Sequence, residues 1–117
     1  MNKIFSMSEV VNATGLSKDT LRYYERLKII PKPKRDVHGY RMFSEDDIDW
    51  INLIKLLREY QIPTKDLVGV MDTDMRERRD YLKTHQTKIN TQIKKLRTLQ
   101  NELKRKIEWL DKYQIKR

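Results

Sequence analysis

The stretch "SMSEVVNATGLSKDTLRYYERLKII", residues 6–30, decides the fold. Ser6 or Ser8 can cap a first short helix, and Ser6 with Glu9 has capping-box spacing. Val10, Val11 and Ala13 are expected to supply its apolar side. Gly15 can adopt the positive φ that ends a helix, and Leu16 is expected to point inward. Ser17 can cap a second helix, expected over residues 18–28. Leu21, Tyr24 and Leu27 or Lys28 recur at helical spacing and give that helix a buried stripe, with Arg22 and Arg26 on a more exposed face. Two short helices joined by a tight turn fit a helix-turn-helix unit.

Pro31 and Pro33 stop the helix and favour extended backbone, and Lys32, Lys34 and Arg35 form a basic cluster. "DVHG", residues 36–39, can turn the chain back. Residues 40–43 then read as a short strand with Tyr40 and Met42 on one face, giving a small wing with His38 at its tip. Ser44 with Asp47 begins a third helix, and Glu45, Asp46 and Asp47 suit its positive end. Ile48, Ile51, Ile54 and Leu57 follow a helical period, which Trp50 and Leu53 widen. A fourth, short helix is expected after Pro63 and Thr64, with Leu67, Val68 and Met71 inside. Gly69 within it reads as a hinge or a close-packing position.

From about residue 72 to 112 the chain has neither proline nor glycine. Leu82, Ile89, Leu96, Leu103 and Leu110 recur every seven residues, and Gln86, Ile93, Gln100, Ile107 and Gln114 sit four further on. The first series fills heptad d positions and the second fills a, with glutamine costing stability and setting register. Leu99, Tyr81, Trp109 and Tyr113 lie off this seam, so the face broadens near both ends. A helix of about 40 residues is about 60 Å long and has no partner for its stripe within the chain. A second copy is the simplest partner, hence a homodimer, and heptads alone leave parallel and antiparallel order open.

The chain has 117 residues, 38% apolar and 37% charged, with a net charge of +9 that favours polyanions. Nucleic acid comes first and an anionic membrane surface second. Residues 1–71 carry 12 basic and 10 acidic side chains, and residues 72–117 carry 14 and 7. The basic charge of the long helix reads as a solvated surface or as a second contact with DNA or an acidic partner. There are no cysteines, so disulfides, thiolate metal sites and cysteine nucleophiles are excluded. The amino terminus lacks a long apolar run, and the cytoplasm is the expected location, in association with the nucleoid. His38 and His85 stand in different elements, with no glycine-rich phosphate loop, metal-ligand spacing or serine motif beside them. No enzyme activity, metal or cofactor is expected.

The first 71 residues resemble the DNA-binding domain of the MerR family of bacterial transcription regulators. The resemblance rests on residues 6–30, on "HGYRMF" at 38–43 and on "SEDDIDWINLIKLL" at 44–57. Its most specific part is the Leu21–Glu25 run followed at this distance by Gly39, Tyr40 and Arg41. The segment 72–117 resembles the family's dimerisation helix. The family has glycine where this chain has Lys28 and Gln61. Family members commonly carry an effector-binding region beyond the coil, and the chain is expected to be a short member without one. Metal-sensing members use cysteines around this helix, and this chain has none.

The resemblance implies a mainly α protein, with a winged helix-turn-helix domain over 1–71 and an antiparallel coiled coil over 72–117. It implies a homodimer that binds a near-palindromic promoter element in double-stranded DNA and distorts its spacer. RNA polymerase or a regulatory partner protein would be a further partner. The alternatives are a coiled-coil interaction adaptor and an architectural DNA-bending protein with little sequence choice.

For the DNA contact, Ser17, Lys18 and Asp19 open the second helix, whose first residues would meet base edges. Lys18 can donate to guanine and Asp19 can accept from cytosine N4, or Asp19 only complements the helix end. Arg22 resembles the family's phosphate-binding arginine, and the Tyr23 hydroxyl can reach a phosphate beside it. Arg26 is a phosphate contact or an intramolecular partner. Arg35, Tyr40 and Arg41 belong to the wing, and Lys65 adds a contact. The dimer seam is expected at Leu82, Gln86, Ile89, Ile93, Leu96, Gln100, Leu103, Ile107 and Leu110.

Overall fold

The computed structural model describes residues 3–113. These divide into two compact units between Asp74 and Met75. In the first unit the order is α1 (Met7–Thr14), α2 (Lys18–Arg26), β1 (Lys34–Arg35), β2 (Arg41–Met42) and α3 (Glu45–Glu59). The second is one helix, α4 (Met75–Tyr113).

Hydroxyl caps start the three short helices. The Ser6 Oγ accepts from the Glu9 amide and the Glu9 carboxylate accepts from the Ser6 amide, a complete capping box. Ser44 and Asp47 repeat this at α3. Ser17 accepts from the Thr20 amide at 3.1 Å. Gly15 closes α1 with φ +75°, and the Lys55 ammonium donates to the Thr14 carbonyl at 2.7 Å, a cation set on the helix's negative end.

Helices α2 and α3 end alike. The amides of Lys28 and Ile29 bond the carbonyls of Glu25 and Tyr24, and those of Gln61 and Ile62 bond Arg58 and Leu57. This is the Schellman pattern, which needs a left-handed residue at the turn. Lys28 (φ 59°) and Gln61 (φ 68°) supply it without being glycine.

Strands β1 and β2 pair antiparallel, Lys34 with Met42 and Arg35 with Arg41. Phe43 bridges back to Phe5 through two 2.8 Å bonds, tying the base of the wing to the start of the chain. Val10, Leu21, Ile29, Ile30, Phe43, Ile51, Ile54 and Leu67 are almost wholly buried and form the core. Trp50 is half-buried and donates its indole N–H to the Ile29 carbonyl at 2.9 Å.

Three local expectations differ from the structure. Ala13 is exposed, and Thr14 is buried in its place. Its hydroxyl returns to the Val10 carbonyl at 2.8 Å, so burial leaves no polar atom unpaired. Residues 63–72 do not form a fourth α-helix but two short 3₁₀ turns, Thr64–Asp66 and Val70–Asp72. Between them Gly69 takes φ +79°, which an α-helix forbids, and Val68 is left half-exposed. A Cβ on Gly69 would meet nothing within 4 Å, so its backbone conformation, not close packing, requires glycine there.

No residue of α4 is buried. Its seam lies open: Ile89, Ile93, Leu96, Leu103, Ile107 and Leu110 are 39–63% exposed. Gln114, the last seam position read from the sequence, lies outside the described residues. Among the described residues no helix is long and apolar enough to cross a membrane.

Candidate nucleic-acid interface

Burying Leu21 and Tyr24 turns the opposite side of α2 outward. Lys18, Asp19, Arg22, Tyr23 and Arg26 are all exposed on it. Their spacing of one, four, five and eight residues from Lys18 makes a single stripe. Ser17 heads it, its hydroxyl bonded to the Thr20 hydroxyl at 2.9 Å. Arg22 lies 3.9 Å from Asp19, an exposed pair that holds it only weakly. The Arg26 guanidinium sits over the Tyr23 ring, 5.5 Å from its centroid. Arg26 thus has an intramolecular partner, and it braces the tyrosine hydroxyl at the surface.

The wing is made rigid by its own turn. The Asp36 carboxylate accepts from the amides of His38 and Tyr40 at 2.8 and 2.9 Å. Arg35 donates to the Gly39 carbonyl at 2.6 Å, and Tyr40 stands 70% exposed at the edge. Arg41 behaves differently from the other cations. Its Nε donates to the Glu25 carboxylate at 2.9 Å, with both side chains largely shielded. The contact joins β2 to α2 and fixes the wing against the exposed stripe.

Glu25 was not among the site residues expected from sequence. The signal was present, since Glu25 and Arg41 end the two halves of the most specific motif, but spacing alone does not show that they touch. The remaining expected contact, Lys65, is exposed on the first 3₁₀ turn. The segment that follows is held to the end of α2 by bonds from the amides of Gly69 and Met71 to the carbonyls of Leu27 and Lys28. Among the described residues no group of three or more His, Cys, Asp or Glu could hold a metal ion.

A helix-turn-helix with a basic outward stripe, a braced wing and a long terminal helix defines a winged helix-turn-helix DNA-binding protein. A family model described as "MerR HTH family regulatory protein" matches residues 5–74. The chain belongs to the MerR family, whose members regulate transcription and are not enzymes.

Its relatives include the mercuric resistance operon regulatory protein of Bacillus cereus, 39% identical over 79 residues, 65% of this chain and 60% of that one. YfmP of Bacillus subtilis, an HTH-type transcriptional regulator, is 31% identical over 122 residues, covering 81% of this chain and 82% of its own. Against several other curated relatives the chain spans under half of their length, 46% and 45% in two cases from Bacillus subtilis. Among solved structures, a putative MerR family regulator from Listeria monocytogenes has TM-score 0.73 at 26% identity, over 95% of this chain and 89% of that one. HiNmlR, a MerR family regulator lacking the sensor domain and bound to promoter DNA, has TM-score 0.70 at 23% identity, over 94% and 92%.

Proposed function

We propose that the chain works as a homodimer that binds a near-palindromic promoter element in double-stranded DNA and distorts its spacer, so that RNA polymerase can engage it. The observation that carries this reading is the Glu25–Arg41 pair, which holds the wing beside the exposed stripe of α2. Base edges fall to Ser17, Lys18 and Asp19, at the end of α2 that would enter a major groove. Arg22, Tyr23, Arg26, Arg35, Tyr40, Arg41 and Lys65 hold phosphates and set affinity and its salt dependence. The seam of α4 joins the two copies, antiparallel, and the protein acts in the cytoplasm, at the nucleoid. That HiNmlR is bound to promoter DNA supports the reading.

The test is selection of duplex DNA from a random pool by the purified protein, followed by binding at two salt concentrations. The expected result is an inverted-repeat site. Arg22→Ala is expected to weaken binding evenly across sequences and to reduce the salt slope by about one phosphate equivalent. Salt-sensitive binding with no enriched motif would replace this reading with an architectural one. No binding at all would leave an interaction adaptor.

A further inference from the structure

The outward stripe of α2 carries one negative charge among three positive ones. Lys18, Arg22 and Arg26 suit a polyanion, and Asp19 opposes it. The hydrogen bonds of the helix start do not use that carboxylate. Ser17 makes the cap, accepting from the Thr20 amide at 3.1 Å, and its hydroxyl is bonded to the Thr20 hydroxyl at 2.9 Å. The Asp19 side chain is 97% exposed, and Arg22 lies 3.9 Å away, too far for a hydrogen bond. Its lone pairs are unspent, at the end of α2 that would enter a major groove.

Donors on this face discriminate poorly. Every phosphate accepts from a lysine such as Lys18, and so do guanine O6 and N7, adenine N7 and thymine O4. A carboxylate is selective because it only accepts. The bases offer it two donors in the major groove, the cytosine N4 amino group and the adenine N6 amino group. Adenine sets its N7 acceptor beside N6, where it repels a carboxylate. Cytosine sets a C5–H edge beside N4, which does not. Guanine and thymine meet the carboxylate with no donor at all. The order of preference at Asp19 is therefore cytosine, then adenine, then thymine and guanine.

We infer that Asp19 is the main sequence-determining residue of this chain, admitting a cytosine at one position of each half-site and penalising the other three bases there. The inference rests on the DNA-binding reading proposed above and names the base within it. On unrelated DNA the same carboxylate meets phosphates and mismatched acceptors, and it lowers affinity. One group thus acts for the operator and against other sequences, as specificity by repulsion requires.

The test repeats the random-pool selection with Asp19→Asn and Asp19→Ala beside the wild-type chain. Wild type is expected to fix a cytosine in each half-site. An asparagine amide pairs with adenine N6 and N7, so Asp19→Asn should move that position to adenine, and Asp19→Ala should leave it open to any base. On the wild-type site Asp19→Ala should bind about ten-fold more weakly, and on unrelated DNA more tightly. N4-methylcytosine still pairs with guanine but sets its methyl group where the groove-facing amino hydrogen stood. Placed at the fixed cytosine, it should weaken wild type about ten-fold and leave Asp19→Ala unchanged. If Asp19→Ala instead selects the wild-type motif and weakens both DNAs alike, Asp19 only complements the positive end of α2, and the inference falls while the proposed function stands. A wild-type motif with no fixed cytosine would have the same consequence. No motif at all would overturn both.

Discussion

The two units of this chain solve the burial problem in opposite ways. Residues up to Asp74 enclose their own core, with Val10, Ile29, Ile51, Ile54 and Leu67 at or near zero exposure. Helix α4 encloses nothing, and no residue of it is buried. A lone helix draws most of its stability from packing an apolar face, so the first unit is stable as a property of one chain, and the second would gain that stability only in the pair proposed above. The difference shows how the parts divide the work. The unit proposed to touch DNA encloses its own core, and the helix leaves its apolar surface open for the proposed second copy.

The largest break in this contrast is expected from Leu103→Asp. Each dimer would bury two carboxylates in its seam, at about 2 kcal/mol each, and raise the dimer dissociation constant by roughly a thousand-fold. Sedimentation across a concentration series measures it. Unfolding of the first unit should shift by less than about 0.5 kcal/mol, since Leu103 is not among its residues. Ile54→Ala should do the reverse. The side chain is fully buried, so unfolding of the first unit should lose about 3 kcal/mol at every protein concentration, with the dimer constant unchanged.

A smaller effect tests how the first unit holds its wing. Breaking the Glu25–Arg41 pair by Glu25→Ala leaves a shielded guanidinium without its carboxylate, at about 2 kcal/mol in chemical denaturation. Arg41→Ala should cost about as much, and the double variant less than the sum of the two, with a coupling of at least about 1 kcal/mol. Additive losses would mean that the pair is incidental and the wing is held by Phe5 and Phe43 alone.

How far each region could be read from sequence follows the range of the interactions that build it. The caps at Ser6, Ser17 and Ser44 are contacts within three residues, and hydroxyl and carboxylate spacing displays them directly. The long helix was equally legible, because a heptad is a local repeat. The 3₁₀ segment was not. Leu67, Val68 and Met71 have helical spacing, but Gly69 sits left-handed so that its amide and that of Met71 can reach the end of α2. That choice is made by residues some forty positions away. The Glu25–Arg41 contact spans 16 residues and was missed for the same reason. For the α2 stripe, periodicity displays which side chains point outward, whereas the bracing of Tyr23 by Arg26 shows only in three dimensions.

The finest comparison lies between the two helix ends that lack glycine and the one that has it. Lys28 and Gln61 hold left-handed backbone at a steric cost of about 1–2 kcal/mol each. Replacement by glycine removes that cost but adds about 0.5–1 kcal/mol of unfolded-chain entropy, so the net gain is about 0.5 kcal/mol. The two sites should not gain equally. The Lys28 ammonium lies 3.3 Å from the Asp72 carboxylate, both 60% exposed, and losing a pair so open to water forfeits only a few tenths of a kcal/mol. Gln61→Gly is therefore expected to raise the denaturation midpoint of the first unit, and Lys28→Gly to raise it less. Gly15→Ala should lower it by about 1 kcal/mol or more, since φ is +75° there. If Lys28→Gly instead proved destabilising, its side chain would be holding the 3₁₀ segment through Asp72 more strongly than an exposed pair can. The end of α2 would then depend on that segment as much as on its own turn.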